Sequence, residues 1–133
     1  MQFVCWLFSG HGFDRNRVVR YGAHHVNALL EMLERHGKHE LTCVGDQSAR
    51  ISGRVRFIRM PKEVSGLPRY YPKLWGFSKE CGELIGTRFA SIDLDVVMLG
   101  DLGRLCEGKE DFKIWDQAKD EPYNSSFYVL NPG

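Results

Sequence analysis

Two aspartates inside an apolar run are the residues of this sequence best suited to chemistry. Asp93 and Asp95 lie within ASIDLDVVMLGDL (90–102), and residues i and i+2 of a strand face the same side, so their carboxylates can lie together. Like charges that close repel each other unless a cation lies between them. Oxygen ligands suit Mg²⁺ or Mn²⁺, which keep positions open for water and phosphate oxygens. The pair therefore predicts a divalent-cation site that bridges protein carboxylates to a diphosphate.

Two other interpretations of the same pair stay open. Short acidic patterns occur by chance at exposed strand ends, although carboxylates surrounded by this much hydrocarbon need a partner. The run from Asp93 to Val97 also matches, in outline, the DxDx[TV] motif of haloacid-dehalogenase-type phosphatases. That motif normally lies on the first strand, with a lysine and further acids far downstream. Here it lies two thirds of the way along the chain, which disfavours a phosphatase.

The elements that must position the aspartates alternate between strands and helices. Short apolar runs bounded by turn residues predict strands, and apolar residues at steps of three and four predict helices ending at glycine. The predicted strands are 2–8, 40–46, 55–60, 88–93, 111–116 and 125–131, with 55–60 alternating basic and apolar residues as an edge strand does. The first predicted helix runs from about Val18 to Arg35, and a second within 70–86 carries Leu74, Phe77, Cys81 and Leu84 on one face.

This alternation predicts an α/β fold with a mostly parallel sheet. Ligands of such sheets bind outside the carboxyl ends of the strands. Polar side chains fall at four of the predicted carboxyl ends, namely Ser9, Asp46, Asp93 and Asp116. Four separate segments therefore direct polar groups to one edge of the sheet.

Length and composition set the remaining bounds. The chain of 133 residues predicts one domain, 1–133, and its 43% hydrophobic and 26% charged residues are those of a globular protein. A net charge of +1 does not indicate a nucleic-acid or membrane partner. The four cysteines form no CxxC pair, which excludes a zinc ribbon and fits a reduced, cytoplasmic protein. The opening MQFVCWLFSG lacks the features of an export signal, and no run is long enough to predict a membrane span.

IDLDVVMLGDL resembles the DxD segment of nucleotide-diphospho-sugar glycosyltransferases with the GT-A fold, most closely family 8 and uncharacterised bacterial relatives. The similarity continues in the same order through HHVNALLEMLERH, LTCVGD, YYPKLWGF and YNSSFYVLN. It implies a Rossmann-like GT-A fold, a mostly parallel sheet flanked by helices, that binds a nucleotide-sugar. A UDP-sugar is the donor that the resemblance favours.

The resemblance also implies roles for individual residues. Asp93 and Asp95 would hold Mn²⁺ or Mg²⁺ against the diphosphate. The other residues that correspond to binding positions are Phe8, Ser9, Asp46 and Lys73 for the nucleotide, and Asp116, Asn124 and Ser125 for the donor sugar. For Lys73 the alternative is a solvated lysine at a helix start, and for Asn124 it is a residue that begins a strand.

The chain departs from the family at its end. The family continues for a hundred or more residues that supply the acceptor site and a metal-binding histidine, whereas this sequence stops at NPG. Two hypotheses follow: the donor-binding half of a metal-dependent glycosyltransferase, or a non-catalytic, truncated remnant that serves as a binding or structural module. A truncated fold would expose apolar edges that self-association covers, so the sequence predicts a homodimer.

Overall fold

A computed structural model of the chain describes residues 1–9, 21–37, 39–68, 70–86, 88–116 and 123–132. Six strands alternate with helices along these ranges. The strands are β1 (Gln2–Leu7), β2 (Glu40–Gly45), β3 (Arg56–Arg59), β4 (Phe89–Ile92), β5 (Phe112–Asp116) and β6 (Tyr123–Leu130). The α-helices are α1 (Ala23–His36), α2 (Lys62–Ser65) and α3 (Lys79–Ile85), and two 3₁₀ helices span Tyr71–Phe77 and Gly103–Cys106.

The six strands form a single mixed sheet in the order β3-β2-β1-β4-β6-β5. Strands β1 to β4 are parallel, and β6 runs antiparallel between β4 and β5. Because two successive reversals restore the direction, β5 runs the same way as β4. The carboxyl ends of β1 to β5 and the amino end of β6 therefore share one edge. The predicted α/β class, with a mostly parallel sheet flanked by helices, is confirmed.

Helices and irregular segments cover both faces of the sheet. On one face, α1 presents an apolar stripe of Val26, Leu29, Leu30 and Leu33. This stripe packs against β1, β2 and β4 and against apolar residues that follow β4. On the other face α3 and the 3₁₀ helix Tyr71–Phe77 pack against Val4, Trp6 and Phe89. The predicted first helix is confirmed from Ala23 onward, but it does not include Tyr21 or the extended Gly22, and Val18 lies outside the described residues. This burial at helical spacing is what holds α1 against the sheet.

The predicted face of the second helix is wrong. A 3₁₀ helix ends at Phe77, and α3 begins anew with Ser78 as its N-cap, whose Oγ accepts a hydrogen bond from the Cys81 backbone N–H at 3.1 Å. A 3₁₀ helix has three residues per turn, so the 3.6-residue period does not continue across Ser78. Leu74 is consequently 57% exposed. The buried residues of these two helices are Pro72, Trp75, Gly76, Cys81 and Ile85.

A close contact with Trp6 sets the height of the 3₁₀ helix over the sheet. A Cβ added at Gly76 would lie 3.0 Å from the Trp6 ring, so the helix backbone rests directly on the indole. The indole N–H in turn donates a buried hydrogen bond to Ser91 Oγ of β4 at 2.8 Å. Burial raises the pKa of the neighbouring Tyr128 to about 12, so that phenol stays neutral at physiological pH. These contacts hold the 3₁₀ helix beside the end of β4.

The cysteines lie in the core, and β3 is an edge strand as the sequence predicted. All four cysteines are buried and free, and Cys5 and Cys43 are register partners across β1 and β2. A hydrogen bond from Cys43 and burial raise the pKa of Cys5, which keeps this thiol protonated and unreactive. Strand β3 lies at an edge of the sheet with Arg56 and Arg59 exposed. No helix within the described ranges is long and apolar enough to cross a lipid bilayer.

Candidate functional site

The two aspartates lie just beyond the carboxyl end of β4. The strand ends at Ile92, one residue earlier than predicted, and the backbone N–H of Asp93 donates to the carbonyl of Ser126 in β6 at 2.9 Å. Residues 94–95 form a turn in which Leu94 is buried and Asp95 exposed. The simple i, i+2 alternation of a strand therefore stops before Asp95. The turn, and not strand pleating, decides how the two carboxylates are arranged.

Lys73 reaches the first aspartate from the 3₁₀ helix Tyr71–Phe77, which covers one face of the sheet. Its Nζ forms an ion pair with Asp93 Oδ1, and both side chains are 20% exposed. The 3₁₀ helix that rests on Trp6 carries this lysine to the end of β4. Lys73 is therefore not simply a solvated lysine at a helix start, because its ammonium group is paired and its side chain is largely buried. A partly buried cation therefore lies at the aspartate pair.

Tyr21 contacts the second aspartate. Its hydroxyl donates a hydrogen bond to Asp95 Oδ2 at 2.8 Å. Partial burial, this hydrogen bond and the negative charges of Asp95 and Asp93 raise the pKa of Tyr21 to about 12. This contact joins the segment before α1 to the turn that follows β4. Sequence reasoning missed Tyr21, since a lone tyrosine distant in sequence from the aspartates carries no local signal.

The aspartate pair fits a hard divalent cation that brings other ligands with it. The contacts above use one oxygen of each carboxylate. Across the described ranges no group of three or more His, Cys, Asp or Glu side chains is placed to enclose a metal ion. Mg²⁺ and Mn²⁺ commonly take one or two protein carboxylates and complete their shell with water and substrate phosphates. Asp93 and Asp95 suit that arrangement, and they do not suit a closed structural site.

A second polar group lies at the ends of β1 and β2. The Ser9 backbone N–H donates to Asp46 Oδ2 at 2.9 Å, and the Ser9 hydroxyl donates to the same oxygen. Asp46 Oδ1 is buried and has no hydrogen-bond partner within the described part of the chain. A buried oxygen of this kind is stabilised when an N–H or O–H group donates a hydrogen bond to it. Phe8, which was predicted to contact the nucleobase, is partly buried against the apolar cluster that includes Val4, Trp6 and Phe89.

A cavity of about 550 Å³ opens beside Asp46. It is lined by Ser9, Asp46, Arg59, Met60, Lys62, Ser65 and Gly66. Arg59 donates to the backbone carbonyl of Asp46 at 3.0 Å, which holds its guanidinium at the rim. Arg59 and Lys62 were not among the predicted site residues. The carboxyl-end rule, applied to β3 as it was to the other strands, would have identified Arg59.

The residues predicted to hold the donor sugar reach the same edge from β5 and β6. Asp116 ends β5 opposite Tyr123, and Trp115 lies opposite Asn124. Asn124 Oδ1 accepts from the Ser126 backbone N–H at 2.8 Å. Since the Ser126 carbonyl accepts a hydrogen bond from the Asp93 N–H, the start of β6 adjoins Asp93. The backbone of Asp116 is placed at this edge, and Ser125 is exposed there.

All the predicted site residues thus lie at one edge of the sheet, in three neighbouring groups. The first is centred on Asp46, the second on Asp93 and Asp95, and the third on the start of β6. Strand β1 separates β2 from β4, which places the first two groups roughly 10 Å apart at two strand spacings. No known protein family profile matches the chain, and a search of curated proteins finds no similar protein.

Proposed function

We propose that the chain binds a nucleotide-diphospho-sugar through a divalent cation held by Asp93 and Asp95, as the donor domain of a GT-A-type glycosyltransferase does. The observation that carries the proposal is the ion pair between Lys73 and Asp93 at the carboxyl edge of the sheet, with Asp95 in the turn that follows. Two carboxylates and one ammonium group suit a ligand that combines a metal ion with phosphate oxygens. Mn²⁺ or Mg²⁺ is the cofactor that this chemistry favours.

At the phosphate end, this chain's residues bind and neutralise charge. Asp93 and Asp95 would ligate the cation, and Lys73, which already lies at Asp93, would meet a phosphate oxygen. A bound divalent cation stabilises negative charge on a departing nucleoside diphosphate. The low exposure of the Lys73–Asp93 pair strengthens these interactions because less water screens them.

At the other end, the Asp46 cavity suits the nucleoside. Asp46 Oδ1 is a buried acceptor without a partner among the described residues, and a base N–H or a ribose hydroxyl supplies the missing donor. The separation from the aspartate pair, roughly 10 Å across β1, is comparable to the reach from a nucleobase to its diphosphate. Asp116, Asn124 and Ser125 lie beyond the aspartate pair, where a sugar attached to the diphosphate would extend.

Calorimetric titration of UDP and UDP-glucose, with Mn²⁺ and with a chelator, tests this proposal on the wild-type chain. Metal-dependent binding of both ligands is the expected result. Binding that is equal with Mn²⁺ and with the chelator contradicts the metal bridge. If neither ligand binds in either condition, a UDP-sugar donor is excluded and the non-catalytic module is favoured.

Substituting Asp46 is expected to weaken nucleotide binding without changing its dependence on metal. Asp46→Ala removes the buried acceptor, and a hydrogen bond to a charged group contributes about 1.5–3 kcal/mol, so UDP affinity should fall by about 10- to 150-fold. The ratio of the affinities measured with and without Mn²⁺ should stay as in wild type. Glu63→Ala, an exposed acid on α2, serves as the control. A loss of the Mn²⁺ effect in Asp46→Ala would instead place Asp46 at the phosphates.

The alternative, a non-catalytic module that self-associates, is favoured by one surface. Val97 and Leu99 are 73% and 92% exposed after β4, and Trp115 on the edge strand β5 is about half exposed. The opposite edge strand, β3, carries exposed arginines, which discourage edge pairing. We therefore propose that a second copy of the chain covers these exposed apolar side chains, Val97, Leu99 and Trp115.

Equilibrium sedimentation is expected to show a dimer for the wild-type chain and a monomer for Leu99→Glu. Placing a charge on this side chain makes its burial in an interface costly. Leu67→Glu, at another exposed leucine, should stay dimeric. A wild-type protein that sediments as a monomer at high concentration contradicts the dimer.

A further inference from the structure

The aspartate pair is already bound by donors from the chain itself. Lys73 Nζ pairs with Asp93 Oδ1, and the Tyr21 hydroxyl donates to Asp95 Oδ2 at 2.8 Å. We propose that Lys73 and Tyr21 are internal substitutes for the divalent cation, which hold the aspartates while no ligand is bound and release them when the cation arrives with a diphosphate. This inference rests on the proposed function and adds to it an obligatory coupling between metal and diphosphate binding.

Lys73 and a divalent cation compete for the negative charge of Asp93. An ammonium group at ion-pair distance from Asp93 would lie only a few ångströms from a metal ion on the same carboxylate. Repulsion between the two cations would be strong, because both Lys73 and Asp93 are only 20% exposed and water screens them poorly. A metal ion on Asp93 would therefore weaken or displace the Lys73 ion pair, and this cost lowers the affinity for the metal ion alone.

The displaced lysine needs a new anion. Its ammonium group lies on a flexible four-carbon stem, so it can move from Asp93 to a group bound next to the cation. A diphosphate supplies that anion and also supplies the oxygen ligands that two carboxylates leave missing. A bound diphosphate therefore reduces the cost of binding the cation, and a bound cation reduces the cost of binding the diphosphate. By thermodynamic linkage, each ligand raises the affinity for the other by the same factor.

Tyr21 adds a smaller effect of the same kind at the second aspartate. Its hydroxyl is a neutral donor, so its displacement from Asp95 involves no repulsion between like charges. It nevertheless takes up one carboxylate oxygen and brings Asp95 toward α1, whose first residue is Ala23. Phenylalanine at this position keeps the ring and its edge-to-face contact with His25 while leaving that oxygen free. Tyr21→Phe should therefore bind the metal ion more tightly than wild type, but less tightly than a variant without the lysine.

Direct Mn²⁺ binding, followed by the loss of the free-ion electron paramagnetic resonance signal, tests the inference without any activity measurement. Lys73→Met keeps the stem and removes the charge, and its affinity for Mn²⁺ alone should exceed that of wild type by about 5- to 150-fold, the usual range of coupling between sites. Lys79→Met is the matched control, because Lys79 is highly exposed and pairs with Glu83 on α3. The control should bind Mn²⁺ as wild type does.

Adding UDP completes the test. UDP should raise the Mn²⁺ affinity of wild type strongly and that of Lys73→Met much less. If folded Lys73→Met binds Mn²⁺ no more tightly than wild type, the inference is overturned. Should Lys73→Met fail to fold, the Mn²⁺ affinity of Tyr21→Phe is the deciding measurement. A gain in affinity of about fivefold, equivalent to about 1 kcal/mol for one hydrogen bond, supports the inference. An affinity equal to that of wild type overturns it. A wild-type protein that binds no UDP in Mn²⁺ refutes the proposed UDP-sugar function separately, since the Mn²⁺-only comparison does not use UDP.

Discussion

Asp93→Asn/Asp95→Asn is expected to lower the Mn²⁺-dependent affinity for UDP-glucose by at least about 100-fold, a loss of about 3 kcal/mol. Asparagine keeps the size and one oxygen of aspartate but removes the charge that a hard divalent cation requires. Each charged contact is worth about 1.5–3 kcal/mol, and both aspartates lose theirs. Calorimetric titration in Mn²⁺ and in chelator measures the change, and only the Mn²⁺-dependent part should disappear.

The matched control changes two other acids by the same chemistry. Glu31→Gln/Glu107→Gln removes the same charge from exposed positions on α1 and after the second 3₁₀ helix. Its affinity for UDP-glucose should equal that of wild type. Thermal unfolding of each variant shows whether the protein remains folded, because Asp93→Asn also leaves Lys73 without its anion. A folded double variant that retains Mn²⁺-dependent binding would exclude Asp93 and Asp95 as metal ligands.

Gly45→Ala is expected to lower the free energy of unfolding by at least about 2 kcal/mol, in the upper part of the range for overpacking. A Cβ at this position would lie 2.1 Å from the Leu7 carbonyl oxygen, far inside any permitted contact. The obstacle is backbone, so no side-chain rotation can relieve it. Separating β1 from β2 would strain the hydrogen bond from Asp46 N–H to Leu7 O, which measures 3.2 Å.

Gly53 offers the control for this substitution. A Cβ there meets nothing within 4 Å, so Gly53→Ala should change the free energy of unfolding by no more than about 0.5 kcal/mol. Urea denaturation of the three proteins measures both values. Gly45 directly precedes Asp46, so the folded fraction of Gly45→Ala should also bind UDP more weakly. Equal stability of Gly45→Ala and Gly53→Ala would contradict the close approach of β1 and β2.

Local sequence patterns were sufficient to predict most of the strands and helices and the edge of the sheet at which the polar residues lie. The run 2–8 is apolar enough to predict a buried strand, and Leu7 and its neighbours are indeed buried in β1. The steps of three and four residues in the first helix predicted Ala23, Val26, Leu30 and Leu33 as its apolar face, and all of these but Ala23 are buried. Such patterns report burial directly, because each element must present an apolar face to its neighbour.

The second helix shows where local patterns stop being informative. Leu74 and Cys81 have the spacing of one helical face, yet only Cys81 is buried. Ser78 can both end one helix and cap the next, and the 3.6-residue period does not reveal the break. Packing of Gly76 on Trp6 decided which residues face the sheet.

By itself, the sequence determined an α/β chain whose polar residues collect at the carboxyl ends of its strands, because backbone direction and burial period are properties of neighbouring residues. The tertiary structure alone decided that Lys73 meets Asp93 and that Tyr21 meets Asp95. These partners come from separate layers, and no local pattern encodes a contact between elements far apart in the chain. The reversal of β6 between β4 and β5 likewise depends on sheet pairing. It brings Asn124 beside the aspartates.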